Sequence, residues 1–124
     1  MKFSGISTVY VLVENIENAK KFYQDRLGLG KPVRETPNHV EWKVGKGTAN
    51  FAIQKASDEE LEGSIPARST TRFHFQVDNV RKLYNDLFEK GVRLRCEPKE
   101  GTGYLYVDFM DVDGNMLRAV EYLK

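Results

Sequence analysis

A repeated order of strand, helix and glycine limits the folds that this 124-residue chain can adopt. The segment Val13-Glu14-Asn15-Ile16 returns 64 residues later as Val77-Asp78-Asn79-Val80. In each copy a strand-like run precedes the segment, apolar residues at helical spacing follow it, and a glycine, Gly28 or Gly91, ends the helix. The two glycines are 63 residues apart, so the register slips by one residue within the helix. A single repeat of about half the chain indicates an internal duplication, because solenoids need three or more units.

The duplication predicts two modules, approximately residues 1–56 and 70–124, joined by a polar segment that is expected to be a flexible linker. Asn15 is the expected N-cap of the first helix, and Asp78-Asn79 opens the second. The predicted strands of the first module are Ile6–Val13, a weak one near Lys31–Glu35, Val40–Val44 and Asn50–Gln54. Those of the second are Phe73–Val77, Val92–Cys96, Tyr104–Phe109 and Met116–Val120, with a hairpin turn at Asp113-Gly114-Asn115.

Length and composition exclude several classes of protein. The length favours one domain, 1–124, and a net charge of +1 gives no general attraction for nucleic acid or a membrane. A single cysteine, Cys96, allows no intrachain disulfide and no cysteine-based zinc site. The sequence has no apolar run long enough to span a bilayer and no secretory leader, so a cytoplasmic location is expected.

Three motifs together resemble the vicinal oxygen chelate superfamily, which includes glyoxalase I, extradiol dioxygenases and bleomycin-resistance proteins. The motifs are Val13-Glu14-Asn15-Ile16 with Phe22-Tyr23 and Leu27-Gly28, then Phe75–Val80, then Asp111-Val112-Asp113-Gly114-Asn115. The last is close to the family's D-P-D-G-N turn, with Val112 in place of proline. The resemblance implies an α+β fold of two βαβββ modules that form a mixed-sheet, incompletely closed barrel-like cleft with helices outside. It also implies a homodimer.

The resemblance places the family's metal ligands at four inward strand positions. These are Thr8, Arg72, Arg118 and either Ala52 or Gln54, whose register the sequence does not fix. A threonine hydroxyl is a poor lone ligand, and a guanidinium has no lone pair to donate and repels a cation. The usual metal site is therefore expected to be lost, with no cofactor and no catalytic residue assigned.

The two arginines have two possible roles in such a cleft. Arg72 and Arg118 either hold an anionic ligand in forked geometry or pair with internal acids such as Asp108 or Glu41. His74 on the predicted inward face is either a general base or a structural histidine.

Four aromatic residues likewise have two possible roles. Tyr10, Trp42, Tyr104 and Tyr106 either line an apolar ligand pocket or pack in the core. His39 and Glu41 share one face of a strand and could form a metal pair, but a solvent-facing rim is the expectation.

The leading hypothesis is a metal-free small-molecule-binding protein whose ligand is anionic or aromatic. The first alternative is a lyase, isomerase or dioxygenase of the same superfamily with a non-standard metal site or none, so enzymatic activity is left open. The second is an accessory subunit that acts through its surface. The candidate ligand-binding residues are Thr8, Tyr10, Trp42, Gln54, Arg72, His74, Tyr104, Tyr106 and Arg118.

Overall fold

The computed structural model describes residues 6–46, 49–57 and 74–123. The chain divides into two compact units, Met1–Ser69 and Thr70–Lys124. Arg72, Phe73 and most of the predicted linker lie outside the described residues. Among the described helices, none is long and apolar enough to cross a membrane.

The first unit has the predicted βαβββ order. Its elements are β1 (Thr8–Val13), α1 (Ile16–Lys21), a π-helical turn (Phe22–Arg26), β2 (Arg34–Thr36), β3 (His39–Trp42) and β4 (Asn50–Lys55). The strand order is β1-β4-β3-β2, with β1 parallel to β4 and the other pairs antiparallel. The sheet is therefore mixed and open, as predicted.

The π-helical turn explains the one-residue slip between the two sequence repeats. Asn15 caps α1 as predicted, since its Oδ1 accepts a hydrogen bond of 3.0 Å from the amide of Asn18. Further along, the Leu27 amide donates to the Phe22 carbonyl, five residues back rather than four. This wider turn absorbs one inserted residue. Gly28 then ends the helix with φ +83°, a conformation that favours glycine.

Helix α1 covers one face of the first sheet. Apolar side chains of β1, β3 and β4 on this face pack against it: Val11, Val13, Val40, Trp42, Phe51 and Ile53. The Tyr23 ring lies 6.0 Å from the Trp42 ring and 5.1 Å from the Phe51 ring. The Trp42 Nε1 group donates a hydrogen bond of 2.8 Å to the Gly30 carbonyl. This aromatic cluster is the core of the first unit.

The second unit repeats this plan with one addition. Its elements are β5 (Phe75–Gln76), α2 (Val80–Glu89), β6 (Arg93–Leu94), β7 (Lys99–Gly101), β8 (Tyr104–Met110) and β9 (Met116–Tyr122). The strand order is β5-β9-β8-β6, with β5 parallel to β9, and β7 also pairs with β8. Strand β7 was not predicted because Lys99-Glu100-Gly101 is polar and follows Pro98. Strands β6 and β7 pair with opposite ends of β8, so they share one edge of the sheet.

Helix α2 is fixed to one face of the second sheet. The Asn79 Oδ1 atom accepts from the Lys82 amide at 3.0 Å, and the Glu121 carboxylate of β9 accepts from the Val80 amide at 2.9 Å. The buried apolar side chains on this side are Val80, Leu87, Val107, Phe109, Leu117 and Ala119. Alternate residues of β8 and β9 therefore lie on the opposite face of the sheet.

The predicted hairpin between the last two strands is confirmed. Strands β8 and β9 end on the Met110–Met116 pair, which leaves a five-residue loop. The buried Asp111 carboxylate accepts from the amides of Asp113 at 2.9 Å and Asn115 at 2.8 Å. Gly114 has φ +82° in this loop. The loop is thus closed by its own aspartate.

Candidate functional site

The pairing of β8 with β9 gathers aromatic and charged side chains on the sheet face opposite α2. Residues directly opposite each other in an antiparallel pair share a face. The register pairs Asp108 with Arg118 and Tyr104 with Tyr122. Tyr106 lies between them on the same face by strand alternation. The structure therefore brings together three residues predicted as ligand-binding, Tyr104, Tyr106 and Arg118.

Arg118 is held by an internal acid. Its Nε donates to Asp108 Oδ1 at 2.7 Å, and its Nη2 donates to Asp108 Oδ2 at 3.0 Å. Asp108 is only 5% exposed, and the hydrogen bond that Arg118 donates to its carboxylate raises the pKa of Arg118. Of the two roles expected for Arg118, pairing with Asp108 is the one that the structure shows. The paired charges cancel, so Arg118 adds little net positive charge to this face.

The guanidinium also stacks on an aromatic ring. The Arg118 Cζ atom lies 4.0 Å from the centre of the Tyr106 ring, which is within the range of a cation–π contact. The Arg118 side chain remains 32% exposed. Within the described part of the chain, its Nη1 group makes no hydrogen bond, so its N–H donors are available to a ligand.

Three tyrosines continue this face. The Tyr104 ring lies 5.7 Å from the Tyr106 ring and 6.5 Å from the Tyr122 ring. Tyr104 also lies over Gly101, where a Cβ atom would be 2.5 Å from the Tyr104 Cζ. Glycine at 101 therefore lets this ring lie against β7. We call Tyr104, Tyr106, Arg118 and Tyr122, supported by Asp108, the aromatic–arginine surface.

The first unit carries a polar group of residues on the face opposite α1. His39 lies between two oxygens, with its Nε2 3.0 Å from Glu41 Oε1 and its Nδ1 3.3 Å from Gln54 Oε1. Asn50 Nδ2 donates to Glu41 Oε2 at 2.6 Å. We call these four residues the His39–Glu41 network.

Glu41 corrects one prediction. It was expected on a solvent-facing rim, but it is 7% exposed, because it pairs with the buried Ala52 in the interior of the sheet. Hydrogen bonds from Asn50 and His39 lower the pKa of Glu41 against the opposing effect of burial. The carboxylate is therefore held in its charged form.

The remaining candidate residues lie on different strands and faces. Trp42 pairs with Phe51 on the face under α1 and is fully buried, so of the two roles expected for it the structure shows core packing. Tyr10 is 48% exposed on the opposite face, while Thr8 is half-buried at the start of β1. His74 is exposed just before β5.

The register places both β4 candidates for the family's ligand position on one face. Ala52 and Gln54 lie two residues apart, with Ala52 beside Glu41 and Gln54 beside His39. Across the described residues, no group of three or more His, Cys, Asp or Glu side chains could hold a metal ion.

Sequence reasoning missed Tyr122 and Asn50. Tyr122 follows the alternation of Arg118 and Val120 on β9, so extending that strand by two residues would have included it. Asn50 gave no signal, because its role depends on lying across the sheet from Glu41.

Comparisons with known proteins identify the family. A family model described as the Glyoxalase/Bleomycin resistance protein/Dioxygenase superfamily matches residues 5–119. This chain belongs to that superfamily. The resemblance to vicinal oxygen chelate proteins is thereby confirmed, together with the α+β fold.

The chain is similar in sequence to two curated proteins. The uncharacterized protein YraH of Bacillus subtilis is 28% identical over 126 aligned positions, which cover 93% of this chain and 96% of that protein. The 4-hydroxyphenylpyruvate dioxygenase of Yarrowia lipolytica is 31% identical over 114 positions, covering 78% of this chain. The match spans only 28% of the dioxygenase.

A solved structure shows the same superfamily fold. TnmS3, an antibiotic binding protein from Streptomyces sp. CB03234, superposes with a TM-score of 0.80 at 21% identity. The match covers 98% of each chain.

Proposed function

We propose that this protein binds a flat aromatic small molecule on its aromatic–arginine surface, without a metal ion. The observation that carries the proposal is the stacking of the Arg118 guanidinium on the Tyr106 ring, 4.0 Å from its centre, with Tyr104 beside it. Flat rings and a guanidinium on one face suit stacking with another flat ring system.

The ion pair favours an aromatic ligand over a simple anion. Asp108 takes two of the hydrogen-bonding positions of Arg118 and cancels its charge. A small anion would therefore meet no net positive charge here. An aromatic ligand gains contact with the rings and can accept a hydrogen bond from Arg118 Nη1 through a carbonyl or phenolic oxygen.

The chemistry of the side chains supports binding without a metal. The resemblance places Arg118 at one of the family's four ligand positions, and its guanidinium donates hydrogen bonds to Asp108 instead of offering a lone pair. The structural neighbour TnmS3 is described as an antibiotic binding protein, and by analogy we extend ligand binding to this chain.

Isothermal titration calorimetry with anthraquinone-2-sulfonate tests the proposal. We expect saturable binding by the wild-type protein, and a loss of about tenfold in affinity in Tyr106→Leu and in Arg118→Lys, because each variant loses a stacked planar group. The matched controls are Tyr84→Leu and Arg81→Lys, whose side chains lie on α2, and we expect both to bind normally. Equal affinities in all five proteins, or no binding by the wild type, would contradict the proposal.

An enzyme of the same superfamily is a second candidate, which the His39–Glu41 network favours. A histidine oriented by a buried carboxylate is an arrangement that can transfer protons. Elemental analysis of freshly purified protein separates the two proposals. One equivalent of nickel, zinc, iron or manganese per chain would contradict metal-free binding and support the enzyme, whereas substoichiometric metal supports the binding protein.

A further inference from the structure

Basic residues on β6 and β7 border the aromatic–arginine surface along one side. Arg93 pairs in register with Met110, and Lys99 pairs with Tyr106. Residues directly opposite each other in an antiparallel pair share a face, with Cβ atoms about 5 Å apart. Met110 and Tyr106 lie on the sheet face opposite α2 by strand alternation, so Arg93 and Lys99 lie on that face too.

Arg95 lies between these two cations at the same edge of the sheet. Its amide donates to the Asp108 carbonyl at 3.0 Å, which holds its backbone beside β8. Arg93, Arg95 and Lys99 are all exposed, and none forms an ion pair or a side-chain hydrogen bond with a described residue. We call these three residues the cationic edge.

The cationic edge has a net positive charge that the central ion pair of the aromatic–arginine surface lacks. Glu97 is the one acidic residue in the sequence from 93 to 99, which contains three basic residues. Glu100 pairs with Leu105, so it lies on the other face of the sheet, under α2. The attraction for an anion therefore lies at the edge of this surface and not at its centre.

The aromatic rings reach this edge. Tyr104 pairs with Gly101 of β7, and its ring lies over that glycine. Lys99 is two residues before Gly101 on the same face of β7, where it lies across from Tyr106. A flat molecule stacked beside Tyr104 and Tyr106 is therefore about one strand spacing, about 4.8 Å, from the strand that carries Lys99.

We propose that the ligand of the aromatic–arginine surface is a flat aromatic molecule with an oxyanionic substituent, and that the cationic edge selects it by binding this substituent. The inference rests on the proposed function, because it assigns the charge of the same ligand. Guanidinium and ammonium groups donate charge-assisted hydrogen bonds to carboxylate, sulfonate and phosphate oxygens. Stacking supplies the affinity and the edge supplies the preference for an anion, because exposed ion pairs contribute little each.

Calorimetric titration with two matched probes tests this inference. The probes are anthraquinone-2-sulfonate and its isostere anthraquinone-2-sulfonamide, which is uncharged at neutral pH. We expect the wild-type protein to bind the sulfonate about fivefold more tightly than the sulfonamide. The double variant Arg93→Gln/Lys99→Gln should lose this preference and keep its affinity for the sulfonamide. The control Arg81→Gln/Lys82→Gln removes the same net charge from exposed positions on α2 and should keep the preference.

Salt gives a second measurement that needs no variant. Raising the NaCl concentration from about 0.05 M to about 1 M should remove most of the wild-type preference for the sulfonate, because exposed charges are screened. Equal affinities for the two probes at low salt, or a preference that survives in Arg93→Gln/Lys99→Gln, overturns this inference and leaves stacking on Tyr106 intact. An equal loss of preference in the α2 control also overturns it. Failure of the wild-type protein to bind either probe overturns the proposed function and this inference together.

Discussion

Each unit of this molecule buries a carboxylate on the sheet face opposite its helix, but the two are neutralised differently. In the first unit, Glu41 is held by Asn50 at 2.6 Å and by His39 at 3.0 Å. In the second, Asp108 is held by Arg118 through two hydrogen bonds of 2.7 and 3.0 Å. The partners of Glu41 are a neutral amide and an imidazole, while the arginine partner of Asp108 keeps its charge at every accessible pH. One duplicated scaffold thus contains a hydrogen-bonded carboxylate in the first unit and a permanent ion pair in the second.

The permanent pair should show the largest effect when it is broken. Arg118→Met leaves the Asp108 carboxylate buried without its partner, and we expect the free energy of unfolding to fall by about 2 kcal/mol. This is less than for a fully buried pair, because the Arg118 side chain is 32% exposed. Urea denaturation measures the loss. The double variant Asp108→Asn/Arg118→Met should recover at least half of it, and no recovery would mean that Arg118 stabilises the unit by packing alone.

Gly101 tests how the aromatic–arginine surface is shaped. In Gly101→Ala, the added methyl would lie 2.5 Å from the Tyr104 ring and must displace it, at a cost of about 1.5 kcal/mol. Affinity for anthraquinone-2-sulfonate should fall with stability. Thr102→Ala, in the adjacent turn, is the control and should change neither measurement. Unchanged affinity in Gly101→Ala would remove Tyr104 from the binding surface.

The hydrogen-bonded carboxylate of the first unit is tested by Glu41→Gln. At neutral pH this isosteric change should cost about 1 kcal/mol, because the charge-assisted hydrogen bonds to the carboxylate are lost. The pKa of Glu41 is lowered from its ordinary value of 4.5 in the folded protein. Its stabilising contribution is therefore complete above that value and is lost as the pH falls through the lower folded pKa.

Urea denaturation between pH about 7 and about 2.5 measures this contribution. The wild type and Glu41→Gln should differ at neutral pH and converge in acid. A difference that stays constant across this range would show that the carboxylate charge is not what stabilises the first unit.

The helix caps should give the smallest difference between the units. Asn15→Ala and Asn79→Ala each remove one side-chain cap, which costs about 1 kcal/mol in an ordinary helix. The loss should be smaller for Asn79, because Glu121 continues to accept from the Val80 amide of α2. Thermal unfolding of both variants checks the order. A larger loss at Asn79 would show that the Glu121 contact does not support the helix end.

Local sequence signals predicted the framework of both units. The capping asparagines and the terminal glycines Gly28 and Gly91 act within one turn of helix, so the sequence alone reveals them. The sequence also named Tyr104, Tyr106 and Arg118 as candidate ligand-binding residues, and the pairing of β8 with β9 puts them on a common face.

The partners of the charged groups could not be predicted in the same way. Arg118 had a ligand and two acids as possible partners, and only the strand register selects Asp108. The burial of Glu41 depends on its position across from Ala52, and the core position of Trp42 depends on its pairing with Phe51. These contacts depend on the register between neighbouring strands, which the periodicity of each strand does not encode. Strand β7 was missed because its polar sequence carries no strand pattern.

The most direct test of aromatic binding on the second unit is an intermolecular nuclear Overhauser measurement with anthraquinone-2-sulfonate bound to the wild-type protein. We predict contacts from the ligand ring protons to the ring protons of Tyr104 and Tyr106. Saturable binding with contacts confined to other residues would contradict the assignment of the aromatic–arginine surface as the ligand site.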